Sequence, residues 1–267
     1  MRLRANLAIA SASFMEAASF RIYFIFTIFS NMFYLVIVYF LWQAIFASAG
    51  TETLNGMTFK QTFVYLALAG CMNSVVMTWI EWSMSDEMKN GNIALKFIRP
   101  IDYQVNVLSK SLGDICTNFI IIFLPSFLVV LLISGDEIKL GINLIFFFLA
   151  LTIAAVISLL FDFLIGLISF YTQSVWGISA MKETIVLLLA GAVIPLPFFP
   201  ENIRNIIELL PFQAIYNLPL KILTDSSCTF YDYGLILLQQ LFWLVILLIF
   251  SRLCFYKART AITINGG

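Results

Sequence analysis

Asp162 is the only acid deep within an apolar run, in the stretch ISLLFDFLIGLISF. A carboxylate in such surroundings serves one of two chemistries: a proton- or substrate-sensitive group on a pathway, or one half of an ion pair. Pairing with Arg21, Lys110 or another base is the favoured reading. One carboxylate is not the facing dyad that an aspartyl hydrolase needs, and Asp114 and Glu183 stand nearer the ends of their runs. The chain has no histidine, which excludes a His-based triad and the commonest metal ligand. It carries no GxxxxGK[ST] phosphate loop, so it does not cradle ATP by that route. Cys71, Cys116, Cys228 and Cys254 show no C-x-x-C spacing, so neither a disulfide framework nor a zinc site is expected. The expectation is a chain with no catalytic residue, no bound cofactor and no metal.

A different chemistry, recognition of a partner, is written in GNIALKFIRPID, which starts at Gly91. Ile93 and Phe97 lie four apart, on one face of a short helix that could fill an apolar notch. Lys96 and Arg99 can ring that face with charge, and Pro100 stops the helix and turns the chain back. The plain alternative is a turn that merely carries the positive charge expected on the inner side of a membrane. In a second segment, YTQSVWGISAMKE, Trp176 and Met181 are the apolar points of contact. Asn31, Gln43, Asn73 and Asn118 read as hydrogen-bonding joints between helices.

The elements that must position these residues follow from composition. Of 267 residues, 61% are hydrophobic and 11% charged, against about 25% charged in soluble domains. A bilayer is the solvent that fits. The formal net charge is zero, with no long basic run, so nucleic acid is not an expected partner. Stretches long enough to cross a bilayer are Ile22–Phe46, Gln61–Ile80, Leu112–Ser134, Ile142–Phe170, Glu183–Phe199 and Leu235–Phe255. No repeating alternation suggests a barrel. The fold class is therefore an all-α polytopic membrane protein with six transmembrane helices.

An even number of spans puts both termini on one side. With the termini cytoplasmic, only Lys60, Lys139, Arg204 and Lys221 of the 15 Lys+Arg face outward. The start, MRLRANLAIASASF, is not a convincing signal peptide, because Glu16 and Arg21 interrupt it. Leu3, Leu7, Ala10, Phe14 and Ala17 instead mark an amphipathic helix lying on the membrane surface. Trp42, Trp79, Trp82, Trp176 and Trp243 read as an interfacial belt rather than a sugar-binding ladder. The outer segment after the fifth span holds Pro195, Pro197, Pro200, Pro211 and Pro219, so its backbone must break into short pieces. A short helix around Arg204, in ENIRNIIELL, is expected there, flanked by re-entrant or kinked chain. One domain, 1–267, results, with an interfacial helix at 1–21, an inner loop at 81–111 and the outer segment at 195–234.

Taken in order, these features resemble the ABC-2 type ABC transporter permeases. The resemblance rests on Asp86 and Glu87, Gly91, the Ile93-to-Ile98 turn, Arg99 with Pro100, and the return helix from Lys110 to Asp114. IPLPFFP and LLPFQAIYNLP in the outer segment extend it. The resemblance implies a transmembrane permease subunit, an exporter by family habit, in the plasma membrane of a prokaryote. It implies that the inner loop is a coupling helix docking into two copies of a separate ABC ATPase subunit, which bind the ATP and Mg. It also implies a second permease copy, or a related permease, to complete the pathway among membrane lipids. Two other readings remain open at this level. An ion-gradient-driven secondary transporter would require paired intramembrane charges, where Asp162 stands alone. A membrane scaffold or immunity protein would need none.

Overall fold

Runs of Leu, Ile and Phe with almost no charge satisfy every backbone donor and acceptor internally only as helices, and the chain is built that way. The computed structural model describes residues 2–19, 21–98, 101–138, 140–172, 174–225 and 227–261. Arg99 and Pro100 of the inner loop and Lys139 of the outer set lie outside the described residues. The first half comprises α1 (Arg2–Ala18), α2 (Arg21–Ala49), α3 (Phe59–Val76), α4 (Ile80–Lys89), α5 (Ile93–Ile98), α6 (Tyr103–Asn118) and α7 (Leu124–Ser134). The second comprises α8 (Asn143–Ile168), α9 (Trp176–Leu189), α10 (Glu201–Ile207), α11 (Asn217–Thr224) and α12 (Phe230–Ala258). Among the described residues the extended pieces are Thr53–Leu54 and Met57–Thr58, a two-rung hairpin between α2 and α3. The protein is an all-α polytopic membrane protein.

Among the described residues, five helices are long and apolar enough to span: Phe24–Ala49, Phe59–Lys89, Tyr103–Ser134, Asn143–Ile168 and Phe230–Ala258. The fifth expected span, Glu183–Phe199, has a different form. Its helix, α9, has 14 residues, about 21 Å against the roughly 30 Å of a hydrocarbon core. Gly191 ends it at φ 80°. The Ala192 amide donates to the Leu187 carbonyl and the Gly191 amide to the Leu188 carbonyl, which closes the last turn. The chain then runs through a 3-10 turn at Leu196–Phe198.

Two other spans are reshaped. The third begins at Tyr103 rather than Leu112, capped by the Asp102 side chain, which accepts from the Val105 amide. It widens into a π turn at Phe119–Phe123 just before Pro125, whose missing N–H and bulky ring loosen the preceding ladder. The second does not run straight through: Met77 adopts an extended conformation, and the chain is non-helical to Trp79 before α4 resumes.

The amino-terminal helix departs from its expected place. α1 packs lengthwise on α6 instead of resting only on a membrane surface. Ser13, outside the stripe of Leu3, Leu7, Ala10, Phe14 and Ala17, is buried and donates to Asp114 Oδ1 at 2.6 Å. Gly113 lets the two helices touch, since a Cβ there would overlap the Ala10 carbonyl oxygen. Thr117 adds a second bond across this small-residue seam, donating to the Phe14 carbonyl at 3.4 Å. Trp42 is likewise no belt residue: it is buried with its ring 4.9 Å from that of Phe198.

Gly113→Leu is expected to destabilise the protein by about 1–3 kcal/mol through overpacking. Gly177→Leu, whose Cβ meets open space, should not lower the thermal midpoint measured in detergent.

Candidate functional site

α4 is the element around which the site is organised. Gly166 of α8 faces Met84, and a Cβ on that glycine would collide with the Met84 sulfur and come 3.3 Å from the Glu81 Cα. This close approach sets Glu81 opposite Asp162, one turn earlier on α8. Lys182 of α9 reaches between them, 2.6 Å from Asp162 Oδ1 and 3.3 Å from Glu81 Oε1. Thr78, in the break before α4, donates to Asp162 Oδ2 at 2.5 Å, and Ser179 donates to Glu81 Oε1 at 2.7 Å. The acids are 2% and 1% exposed, Glu81 and Asp162 respectively. The second oxygen of Glu81, Oε2, is buried with no hydrogen-bond partner.

This overturns part of the sequence reading. Asp162 does not stand alone: it is paired with Lys182, the other base that the pairing reading left open. Glu81 had been assigned to the inner loop and Lys182 to the inner charge set, because each sits at the end of an apolar run. The usable signal is that Glu81 and Lys182 flank two apolar runs while Asp162 sits within a third. Tertiary proximity alone could pair them. Charges this far from water persist only when partnered, and Lys182 serves both carboxylates.

Beside the cluster opens a recess of about 270 Å³ lined by Met77, Thr78, Trp79, Glu81, Trp82, Trp176, Ser179, Ala180, Lys182 and Glu183. Trp79 and Trp82 meet edge to face at 6.1 Å between centroids. Trp176 and Met181, the expected second contact, are 65% and 66% exposed. A larger cavity of about 410 Å³ lies between α1, α4 and α6, with Glu16, Glu87, Asp114, Lys96 and Lys110 in its walls.

The inner loop forms the helix the sequence indicates, in a different orientation. Gly91 takes φ 70°, the left-handed turn that ends α4 and starts α5. Ile93 is only 3% exposed and faces the core, so it cannot share an outer face with Phe97. Phe97 stacks on Tyr103 at 5.3 Å, and Tyr103 stacks on Phe255 of α12 at 5.9 Å. The apolar side chains α5 turns outward furthest are Leu95 and Ile98, 62% and 79% exposed, with Phe97 40% exposed beside its stack on Tyr103. Lys96 points inward to Glu87, which also accepts from the Tyr103 hydroxyl at 3.1 Å. Asp86 stays at the surface near Lys89. Arg252 of α12 grips Asp102 with two bonds of 2.8 and 2.7 Å. α5 is thus tied to the ends of α4, α6 and α12.

At the opposite end, the proline-rich segment dives into the bundle. Pro195 is buried, Pro197 lies in the 3-10 turn, Pro200 precedes α10, and Pro211 opens a second 3-10 turn. Arg204 lies 3.9 Å from Glu208, an ion pair one turn apart. Beyond them, Ala214, Tyr216, Leu220 and Leu223 are buried, with α11 against α8. Gln240 of α12 donates to the carbonyls of Ala214 and Ala150 at 2.8 and 3.1 Å. Asn73 is the helix joint expected of it, accepting from the Tyr216 hydroxyl at 2.7 Å, whereas Gln43 is exposed.

The result is a helical membrane bundle with a clamped, apolar-tipped helix at one end and a proline-broken segment at the other. Residues 32–266 match the family described as ABC-2 family transporter protein, and the chain belongs to that family. It is accordingly an ABC transporter permease. Comparison with proteins of curated function gave no match.

Lys182→Met strands two buried carboxylates and is expected to cost about 3–5 kcal/mol. Adding Glu81→Gln and Asp162→Asn should recover most of the lost thermal midpoint. A second expectation concerns pH. The Arg252 hydrogen bond holds Asp102 below its ordinary 3.8, against the opposing effect of partial burial. A lowered carboxylate pKa stabilises the fold above the unfolded value and loses that contribution as pH falls through the folded value. The midpoint difference between wild type and Asp102→Asn should therefore be constant above about pH 4 and shrink below it.

Proposed function

We propose that this chain is the membrane-spanning half of an exporter, driven by ATP that two copies of a separate ATPase subunit bind with Mg and hydrolyse. A second copy, or a related permease, completes the pathway in the plasma membrane of a prokaryote. The observation that carries this reading is α5: two exposed apolar side chains, Leu95 and Ile98, on a helix locked to three spanning helices. Such a foot suits an apolar notch in a partner and passes displacement into α4, α6 and α12 rather than absorbing it. Within the expected coupling set, Gly91 makes the turn, Ile93 and Phe97 anchor the helix, and Glu87 with Lys96 fixes its angle. Asp86 remains free to meet the partner, and Trp176 and Met181 are exposed for a second contact.

The buried cluster favours a second reading. The case against a gradient-driven transporter relied on a solitary Asp162, and that solitude is gone. Under the gradient reading, Asp162→Asn abolishes transport that depends on a proton or ion gradient in the absence of ATP. Under the ATP-driven reading there is no such transport to abolish.

The direct test is purification in mild detergent and identification of what co-elutes. A subunit bearing a phosphate loop is expected. Leu95→Asp with Ile98→Asp should cut its recovery by about tenfold or more, because each buried unpaired charge costs kilocalories. The permease itself should keep its thermal midpoint. Undiminished recovery would move the docking site away from α5.

A further inference from the structure

We infer that the recess between α4 and α9 is a binding site for an organic ammonium group. The inference rests on the permease reading and narrows its cargo class.

Three of the five tryptophans of the chain, Trp79, Trp82 and Trp176, line this one recess. Indole faces are the strongest aromatic partners for a cation, and quaternary and protonated amines are bound in aromatic cages of this kind. Aromatic walls alone would suit any apolar guest. The charges decide the class. Glu81 and Glu183 stand in the recess wall with Lys182, and Lys182 lies closer to Asp162, at 2.6 Å, than to Glu81, at 3.3 Å. Its ammonium is therefore committed mainly to Asp162, behind the recess.

Glu81 keeps one oxygen, Oε1, for Ser179 and Lys182, while Oε2 has no partner although the residue is almost fully buried. A buried carboxylate oxygen left unpaired costs free energy that a cation in the recess would recover. Three carboxylates against one ammonium leave the surroundings formally negative, which repels anions. A volume of about 270 Å³ suits a small ammonium headgroup and excludes a folded peptide. Met77, Thr78 and Trp79 border both this recess and the larger cavity beside α1, so a guest here touches the break in the second span directly.

Ammonium groups come from two sources, a free cargo molecule or a lipid headgroup, and the chemistry is common to both. The test uses the purified full-length chain without any ATPase, so that its failure is separate from failure of the permease reading. Choline and dimethylbutanol, its uncharged carbon isostere, are titrated calorimetrically. Choline is expected to bind at least about tenfold more tightly than the isostere. Trp176→Leu, a change at an exposed side chain, and Glu81→Gln should each weaken choline binding by about tenfold or more, with Trp176→Phe retaining part of it.

Equal binding of choline and isostere, no choline binding at all, or choline affinity untouched by Trp176→Leu would overturn the site. Should Glu81→Gln fail to fold, the tryptophan variants still decide. Repeating the titration in phosphatidylglycerol and in phosphatidylcholine vesicles identifies the source. Equal affinity in both supports a free cargo cation, and weaker choline binding in phosphatidylcholine supports a competing headgroup at the same site.

Discussion

Two carboxylates cannot be taken out of water side by side unless a cation goes with them. That constraint governs the middle of this protein. Lys182 satisfies it by lying between Glu81 and Asp162, and in doing so fastens three separate segments, α4, α8 and α9, at one point. The small residue that makes the meeting geometrically feasible is Gly166, which brings α4 against α8. Neither half suffices: the helices would stand apart with a larger residue there, and the charges would expel the contact without the lysine. A buried ion cluster of this kind adds little net stability over an apolar replacement, so its presence points to what the junction does.

α4 is bonded at both ends. Glu81 near its start belongs to the ion cluster, and Glu87 near its end holds Lys96 and Tyr103. The two acids are six residues apart, about 9 Å along a rigid helix. The non-helical stretch Met77–Trp79 precedes α4 and the left-handed Gly91 follows it. A helix is stiff along its axis, and this one is bonded at both ends. Displacement of α5 therefore reaches the cluster and the recess beside it without bending α4, and this is the mechanical content of the coupling proposed for the inner loop.

The opposite end is built to a different rule. Irregular backbone cannot face lipid, because its donors and acceptors would go unpaired. Around Pro195–Leu196 and from Gln213 to Leu223 the chain meets that rule by lying mostly buried in the bundle, where Gln240 donates to the Ala214 carbonyl and to that of Ala150 on α8, while α10 between them stays largely exposed. α2 and α12 bear many of the exposed apolar side chains, including Phe26, Phe33, Phe40, Leu238 and Phe242. These apolar faces suit contact with lipid.

Much of this was legible in the residues themselves. Hydrophobic runs of sufficient length specify spanning helices, proline breaks the outer segment, and the order of Gly91, the short apolar helix and the return helix marks the family. Such features are local: they depend on composition and on neighbours a few positions away. What the sequence does not show is which side of a six-residue helix faces inward: Ile93, expected on the outer face, is buried, and Leu95 and Ile98 are the most exposed, with Phe97 partly so. Nor could it show that a lysine on one helix neutralises acids 20 and 101 positions away. Contacts across such separations follow from how whole helices pack, and a close approach at one glycine decided them.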